Sequence, residues 1–196
     1  MTRTIFTLDE DLQLALELAD AADAISRERF LSVDLEVTTK PDKTPVTDAD
    51  RAIEQAIIDI LARERGEDFM LGEEFGEQAG TVAEHPVTTA DHPHRQWIID
   101  PIDGTANYLR GVPVWATLIA LAVDGKPVVS VVSAPAMGRR WWAAPEIGSF
   151  TKDIDGSTRE LKVSAIGDLE NASLSYNNLQ LWDQAGMLPQ LTELSR

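Results

Sequence analysis

The sequence contains no cysteine and few basic residues. The lack of cysteine excludes disulfide bonds, thiolate catalysis and zinc–thiolate sites. Lys and Arg number 17 against 33 Asp and Glu, which gives a formal net charge of −16. Because nucleic acids and anionic membranes are bound through basic patches, we expect neither as a partner. A phosphorylated substrate stays compatible with this charge, because a bound metal ion can invert the local field.

Long hydrophobic runs are also absent. No stretch approaches the roughly 18 apolar residues of a membrane span. Residues 1–5 lack the apolar segment of a signal peptide. These absences predict a cytoplasmic protein with no membrane partner. The hydrophobic content of 43% is that of an ordinary globular domain and is sufficient for a core.

Two amphipathic helices are predicted in the first third of the chain. Thr7 and Glu10 have the spacing of a capping box, and apolar residues at steps of three or four predict a helix to about Arg29. Thr47 can cap a second helix with an apolar face, which Gly66 would end.

Short strands are predicted between and after these helices. They fall at 36–39, 69–71, 96–99, 115–123, 126–133, 139–142 and 160–163. Asp124-Gly125 and Asp155-Gly156 are typical turn dipeptides. Strands with tight turns, preceded by two helices, indicate a layered α/β or α+β domain. We see no linker that would divide residues 1–196.

Residues 76–94 are polar and lack periodicity, which is typical of a surface excursion. This segment carries the three histidines of the sequence, His85, His92 and His94. Their spacing does not match a metal-binding motif such as HExxH. We therefore do not expect them to hold a metal ion.

Three pairs of acidic residues follow predicted boundaries of local structure. They are Asp48/Asp50, Glu73/Glu74 and Asp100/Asp103. Mg²⁺ prefers hard oxygen ligands and keeps several waters, so a few carboxylates from separate loops can hold it. Two such ions, roughly 3.5–4 Å apart, can clamp a phosphate and generate hydroxide from bound water. The acidic pairs therefore predict a magnesium-dependent phosphate site.

The strongest signal is the run WIIDPIDGT at 97–105. We expect the chain to leave a strand at Asp100, with Pro101 stiffening the exit and Asp103 returning a second carboxylate to the same side. Gly104 and Thr105 could open a helix whose free N–H groups hold phosphate oxygens. The alternative is an aspartate-rich turn that only caps a helix.

The spacing of the two aspartates disfavours two other interpretations. A calcium loop of the EF-hand type has Asp-x-Asp-x-Asp-Gly, whereas Asp100 and Asp103 are three residues apart. A phosphatase with an aspartyl nucleophile commonly has Asp-x-Asp after an apolar strand. Hydroxide attack without a covalent intermediate fits the spacing better.

These motifs resemble those of the inositol monophosphatase superfamily. Its first signature is similar to Gly72-Glu73-Glu74 followed by residues 97–105, and its earlier Val-Thr-x-x-Asp segment is similar to residues 46–50. The resemblance covers essentially the whole chain. It implies an α+β fold of the layered α/β/α/β/α sugar-phosphatase type, a Mg²⁺ cofactor and a homodimer.

Within the superfamily, the chain resembles the actinobacterial histidinol-phosphate phosphatases. The stretches that carry this narrower resemblance are 39–51, 71–76, 110–115, 132–136 and 139–144. They imply hydrolysis of a small phosphorylated substrate, L-histidinol phosphate, in histidine biosynthesis. The alternatives are inositol monophosphatase or fructose-1,6-bisphosphatase activity, or a truncated metal-binding protein that is not catalytic.

The resemblance also implies roles for single residues. The implied metal ligands are Glu73, Asp100, the carbonyl of Ile102, and Asp103, with Asp100 bridging two ions. Thr105 would hydrogen-bond the attacking water, and Asp50 would orient Thr105 or help to hold a further metal. The implied catalytic set is Asp50, Glu73 and Thr105. The implied substrate-binding set is Glu73, Ile102, Asp103, Gly104 and Thr105, the last two through backbone groups.

Two further features have weaker implications. Lys40 lies either in a loop over the site or in a solvated loop. The family's second signature is Trp-Asp followed by Gly-Gly, and Trp182-Asp183 matches only its first two residues. We therefore interpret Trp182-Asp183 as a chance match. A further metal-binding aspartate, the substrate-selecting residues and the last strands and helices are expected to be missing, so we predict a marginally stable chain that is weakly active or inactive.

Overall fold

The computed structural model describes residues 6–40, 44–78, 93–176 and 179–195. The helices in these ranges are α1 (Leu8–Arg29), α2 (Asp48–Glu64), α3 (Thr105–Leu109), α4 (Leu179–Gln184) and α5 (Leu188–Leu194). The strands are β1 (Val37–Thr39), β2 (Pro45–Thr47), β3 (Phe69–Gly72), β4 (Glu77–Gln78), β5 (Arg95–Asp103), β6 (Ala116–Val123), β7 (Lys126–Ala134), β8 (Arg139–Ala144), β9 (Gly148–Lys152) and β10 (Thr158–Glu160). A 3₁₀ turn spans Pro135–Met137.

The described strands form one large sheet and one separate hairpin. The eight-stranded sheet has the order β10-β9-β8-β7-β6-β5-β3-β4. Its neighbours are antiparallel except for β3 and β5, which run parallel. The hairpin pairs β1 with β2. The predicted α+β class is therefore confirmed.

Both long helices begin with the side chains that the sequence suggested. The Thr7 hydroxyl accepts the Glu10 N–H at 3.2 Å, and the Thr7 N–H donates to Glu10 Oε2 at 2.7 Å. At α2 the same reciprocal pattern joins Thr47 and Asp50. These bonds satisfy N–H groups that a helix start otherwise leaves without partners.

The core lies between α1, α2 and one face of the large sheet. In β5, Trp97 and Ile99 are 0% and 2% exposed, whereas Ile98 between them is 39% exposed. This alternation presents one face of the strand to the helices. Ile53 and Ile57 of α2 are fully buried in the same core. Burying each side chain of this size stabilises the fold by about 1.5–3 kcal/mol.

The hairpin predicted around Asp124-Gly125 is confirmed. Strands β6 and β7 are paired on either side of it. Both turn residues have positive φ, 49° at Asp124 and 75° at Gly125. A two-residue turn of this kind matches the twist of the flanking strands, and Asp-Gly tolerates it best.

Several predicted elements differ from the structure. Strand β5 does not end at Asp100 but continues to Asp103, with a shift in register between the two aspartates. Pro101 has no N–H for the ladder, and a bulge accommodates such a residue. Strand β10 covers 158–160 instead of the predicted 160–163, and β2, β4 and β9 were not predicted.

Only part of the predicted surface excursion at 76–94 lies in the described ranges. Its start forms β4, which pairs with β3. His94 stacks on Phe69 with 4.7 Å between ring centroids, so it has a packing role. His85 and His92 lie outside the described residues.

The chain divides into two compact units, one up to Leu161 and one from Lys162 onward. We expected no boundary within 1–196. The division has a local cause, since residues 162–176 form no helix or strand and are exposed. In the second unit, Leu191 of α5 is buried. Within the described ranges, no helix has the length and apolar character needed to cross a membrane.

Candidate active site

The parallel strands β3 and β5 bring two of the predicted metal ligands together. Gly72 pairs with Ile99 across these strands. Glu73 follows Gly72, and Asp100 follows Ile99. The two acids therefore lie side by side. The charge of Glu73 acts on Asp100, as does that of Asp103. We call Asp50, Glu73, Asp100 and Asp103 the carboxylate cluster.

Helix α2 contributes the fourth acid of the cluster from the other side. Asp50 lies in its first turn and is 1% exposed. Its Oδ2 accepts the Thr47 N–H at 2.8 Å and the Thr47 hydroxyl at 2.5 Å. Its charge acts on Asp100, which shows that the helix start faces the end of β3 and β5.

The cluster brings four acids close together, of which Asp50 is buried, Asp100 is half-buried, and Glu73 and Asp103 are exposed. Burial raises the pKa of Asp100 to about 7, and the charge of Glu73 adds to the rise. Burial also raises the pKa of Asp50 to about 6, against the opposing hydrogen bonds from Thr47. Asp50 Oδ1 and Asp100 Oδ1 are buried without a hydrogen-bond partner in the described structure. Like charges held in this way favour protonation or a bound cation.

A lysine supplies the cation that this structure shows at the cluster. Lys40 Nζ lies 2.7 Å from Glu73 Oε1 and 2.6 Å from Glu74 Oε1. Burial lowers the pKa of Lys40, but its hydrogen bonds to the two glutamates outweigh burial and raise it. Lys40 was predicted to lie either over the site or in a solvated loop. The structure places it at the site.

A helix begins directly after the bulge, as the sequence predicted for Gly104 and Thr105. Gly104 has φ of 88°, and α3 begins at Thr105. The Asn107 N–H donates to the Gly104 carbonyl at 2.8 Å. An added Cβ at Gly104 would lie 3.2 Å from the Val114 carbonyl oxygen, so both space and conformation favour glycine.

Two hydroxyl groups fix the carbonyls of the bulge. The Thr117 hydroxyl donates to the Pro101 carbonyl at 2.8 Å. The Thr105 hydroxyl donates to the Ile102 carbonyl at 3.0 Å. A carbonyl oxygen has two lone pairs, so Ile102 can accept this bond and still offer an electron pair to a ligand.

Not every predicted contact is present. The resemblance implied that Asp50 orients Thr105 or helps to hold a further metal. In the structure Thr105 donates to Ile102 and Asp50 accepts from Thr47, and the metal role of Asp50 stays a prediction. Asp48, the neighbour of Asp50 in the acidic pair, points elsewhere and binds Arg29 at 2.6 Å. A helix turn separates the directions of residues two apart, so only one of the pair can face the cluster.

Sequence reasoning missed Glu54, which is fully buried on α2. Its carboxylate accepts the N–H groups of Glu74 and Phe75, each at 2.8 Å. Burial raises the pKa of Glu54, and the two N–H bonds oppose the rise. The available signal was its position, since Asp50, Glu54, Ile57 and Leu61 follow the spacing of one helix face.

The residues fit a hard cation in their chemistry. Carboxylates and a carbonyl are the oxygen ligands that Mg²⁺ prefers, and two buried carboxylate oxygens lack partners. The described residues do not form a complete set of metal ligands, however. Within those ranges, no three Asp, Glu or His side chains converge as metal ligands. One contact accounts for part of this, because Glu73 is bonded to Lys40.

Comparisons with known proteins place this arrangement in context. The Inositol monophosphatase family matches residues 7–191. The histidinol-phosphatase of Mycobacterium tuberculosis is 51% identical over 179 residues, which cover 91% of this chain and 64% of that protein. The histidinol-phosphatase of Streptomyces coelicolor is 50% identical over 191 residues, with 95% and 67% covered.

A solved structure shows the same partial match. The IMPase of Thermotoga maritima aligns with a TM-score of 0.67 at 26% identity, covering 90% of this chain and 64% of that one. The chain thus spans about two thirds of the length of these relatives. Its mixed α+β fold corresponds to part of the fold of that protein.

Proposed function

Because the chain belongs to the inositol monophosphatase family, we propose that it forms the metal-binding part of a Mg²⁺-dependent phosphomonoesterase. The substrate that we propose is L-histidinol phosphate, which would be hydrolysed to L-histidinol and phosphate in histidine biosynthesis. Two relatives named histidinol-phosphatase, 51% and 50% identical, support this choice. Since the chain spans 64% and 67% of them, the activity of the whole protein is part of the proposal.

The observation that carries the proposal is that the carboxylate cluster holds four acids against a single bound lysine in the described structure. Asp100 is half-buried beside Glu73, Asp103 and Asp50, and its burial together with their like charges raises its pKa to about 7. Within the described structure, Lys40 is the cation bound to a member of this cluster. Such an arrangement is costly unless the acids bind a cation. It is therefore suited to a divalent ion and a phosphate.

Each residue has a task in this proposal. Glu73, Asp100 and Asp103 would hold Mg²⁺ together with the Ile102 carbonyl. The Thr105 hydroxyl would exchange its bond to that carbonyl for one that orients a water, and the first N–H groups of α3 would bind phosphate oxygens. Bound Mg²⁺ would supply Lewis acidity at the phosphate and lower the pKa of water.

The first test removes one charge from the cluster. Asp100→Asn should reduce phosphate release from L-histidinol phosphate by orders of magnitude, because a central ligand carboxylate is lost. Asp59→Asn is the matched control, since Asp59 is exposed on α2 and bonds only to Gln55 in the described structure. Activity of the Asp100 variant equal to that of the control would refute the mechanism.

The second test concerns the substrate. We expect kcat/KM to be highest for L-histidinol phosphate when it is compared with inositol monophosphate and fructose 1,6-bisphosphate. A preference for either alternative would keep the phosphatase assignment and change the substrate. The three substrates should be assayed side by side at one Mg²⁺ concentration.

A second candidate function is metal binding without turnover. It is favoured by one observation: the buried Asp50 Oδ1 and Asp100 Oδ1 have no hydrogen-bond partner in the described structure, and a cation alone would satisfy them. Calorimetric titration with Mg²⁺, run beside the phosphatase assay, separates the two candidates. Binding with no phosphate release would favour the second candidate. The homodimer and the cytoplasmic location remain predictions, to be tested by light scattering and cell fractionation.

A further inference from the structure

A buried carboxylate holds the loop that carries Glu73. Glu54 Oε2 accepts the Glu74 N–H, and Glu54 Oε1 accepts the Phe75 N–H, each at 2.8 Å. Glu54 is 0% exposed. Hydrogen bonds to an ionised acceptor are stronger than neutral ones. Two of them offset part of the cost of burying the charge.

The loop passes so close to this carboxylate that it excludes a side chain at Gly72. A Cβ at Gly72 would lie 1.8 Å from Glu54 Oε1 and 2.3 Å from its Cδ. Atoms do not approach this closely, so the loop and the carboxylate are fitted to each other. Gly72 also ends β3, which fixes where the chain leaves the sheet.

Helix α2 therefore supplies both an acid of the carboxylate cluster and the carboxylate that binds the loop carrying Glu73. Asp50 and Glu54 are four residues apart on α2 and lie on one face of it. Asp50 belongs to the cluster, whereas Glu54 binds the N–H groups of Glu74 and Phe75, the two residues that follow Glu73. A rigid helix fixes the distance between these two attachment points.

We propose that Glu54 is a positioning residue that clamps the Gly72–Phe75 loop and thereby directs the Glu73 carboxylate toward Asp100. This inference rests on the proposed function, since it assigns Glu73 to the metal. Glu54 itself touches neither substrate nor metal. A carboxylate suits the task because each oxygen accepts one N–H. A glutamine would turn its NH₂ group toward one of them and leave that N–H unpaired.

The test compares Glu54→Gln with Asp59→Asn, which removes the same charge from the exposed face of the same helix. We expect Glu54→Gln to weaken Mg²⁺ binding, measured by calorimetry, by about 10–100-fold. Amide hydrogen exchange at Glu74 and Phe75 should accelerate in the same variant. Asp59→Asn should match the wild type in both measurements.

Each outcome is decisive. Faster exchange at Glu74 and Phe75 with unchanged Mg²⁺ binding would overturn the positioning role and leave Glu54 a fold anchor. Unchanged exchange would overturn the clamp itself. If the wild-type chain binds no Mg²⁺, the proposed function fails, while the exchange data still decide whether Glu54 holds the loop.

A second pair of variants guards against misfolding of Glu54→Gln. Gly72→Ala should displace the carboxylate and also accelerate exchange at Glu74 and Phe75. Glu54→Asp withdraws the carboxylate by one methylene and makes room for the new methyl group. The two changes together should therefore cost less than the sum of their separate effects. Strict additivity would contradict the close fit between Gly72 and Glu54.

Discussion

Two groups of acids in the same fold differ in how their charges are matched. Asp11 and Asp68 are 2% and 8% exposed, and both bind Arg95, at 2.8 Å and 3.0 Å. Arg65 adds a second cation at 3.3 Å from Asp11. We call these four residues the arginine-matched group. The carboxylate cluster has comparable burial at Asp50 but contacts no arginine among the described ion pairs.

The difference separates structural acids from acids kept for a ligand. In the arginine-matched group every charge has a partner of opposite sign, so the group can hold α1 to the sheet without help. The carboxylate cluster has Lys40 at its edge and two buried oxygens without partners. The arginine-matched group is therefore complete in itself, whereas the carboxylate cluster is suited to bind a further cation.

The largest expected effect comes from removing Arg95 from the arginine-matched group. Arg95→Met should destabilise the chain by about 3–5 kcal/mol, because it leaves Asp11 and Asp68 buried without their main partner. Urea unfolding measures the change. The control is Arg159→Met, whose ion pair with Asp153 is largely exposed and should matter by less than about 1 kcal/mol. Equal effects would remove the distinction between buried and surface pairs.

A smaller effect is expected in the carboxylate cluster, and its sign is opposite. Asp100 has a pKa of about 7 in the folded chain, against roughly 3.9 for an unfolded aspartate. Between these values the folded state binds more protons, so the stability of the wild type falls as pH rises from about 4 to 7. Asp100→Asn lacks this titration and should be the more stable protein at pH 7.

The measurement is the unfolding free energy of both proteins across this pH range, in the presence of a chelator. The gap between Asp100→Asn and the wild type should widen as pH rises through the window. Added Mg²⁺ should narrow it, because the ion stabilises the ionised cluster. A gap that does not depend on pH would mean that Asp100 is not strained.

The next effect tests whether Lys40 competes with the metal. Lys40→Met frees Glu73 and Glu74 from their ion pairs, so Mg²⁺ should bind a few-fold more tightly. Stability should fall by more than the roughly 1 kcal/mol of an exposed ion pair, because the side chain of Glu74, the other partner of Lys40, is only 6% exposed. Lys126→Met, at the exposed β6–β7 turn, removes the same charge far from Glu73 in sequence and sheet position. Weaker Mg²⁺ binding in Lys40→Met would show that Lys40 supports the ion.

The smallest expected effect is none. Asp183 is exposed on α4, and we interpret its Trp-Asp motif as a chance match. Asp183→Asn should therefore bind Mg²⁺ as tightly as the wild type in calorimetry. A loss of affinity would show that Asp183 contributes to Mg²⁺ binding and that the match to the Trp-Asp motif is not a chance one.

Most elements were predictable because their signals are local. Capping residues and apolar periodicity located α1 and α2, and Asp-Gly located the β6–β7 hairpin. The sequence also showed that Glu73 and Asp100 each come after an apolar strand. What the local pattern left open was that these two strands are parallel neighbours.

The remaining features depend on contacts between distant parts of the chain. Glu54 binds residues about twenty positions later, at Glu74 and Phe75, and Lys40 binds a loop beyond the whole of α2. Short-range periodicity does not contain such pairings. Strand β9 was missed for a related reason, since its pairing with β8 defines it more than its own composition does.

The irregular register in β5 changes how the spacing of Asp100 and Asp103 is to be counted. Three residues apart is an odd step, which in a regular strand would put the two side chains on opposite faces. Their partners on β6, Leu118 and Ala116, are only two apart. The bulge absorbs the extra residue, so both carboxylates leave the same face. Asp-x-x-Asp with a bulge therefore presents its two carboxylates as Asp-x-Asp does in a regular strand. A proline between two acids of a strand is a sign that such a bulge is present.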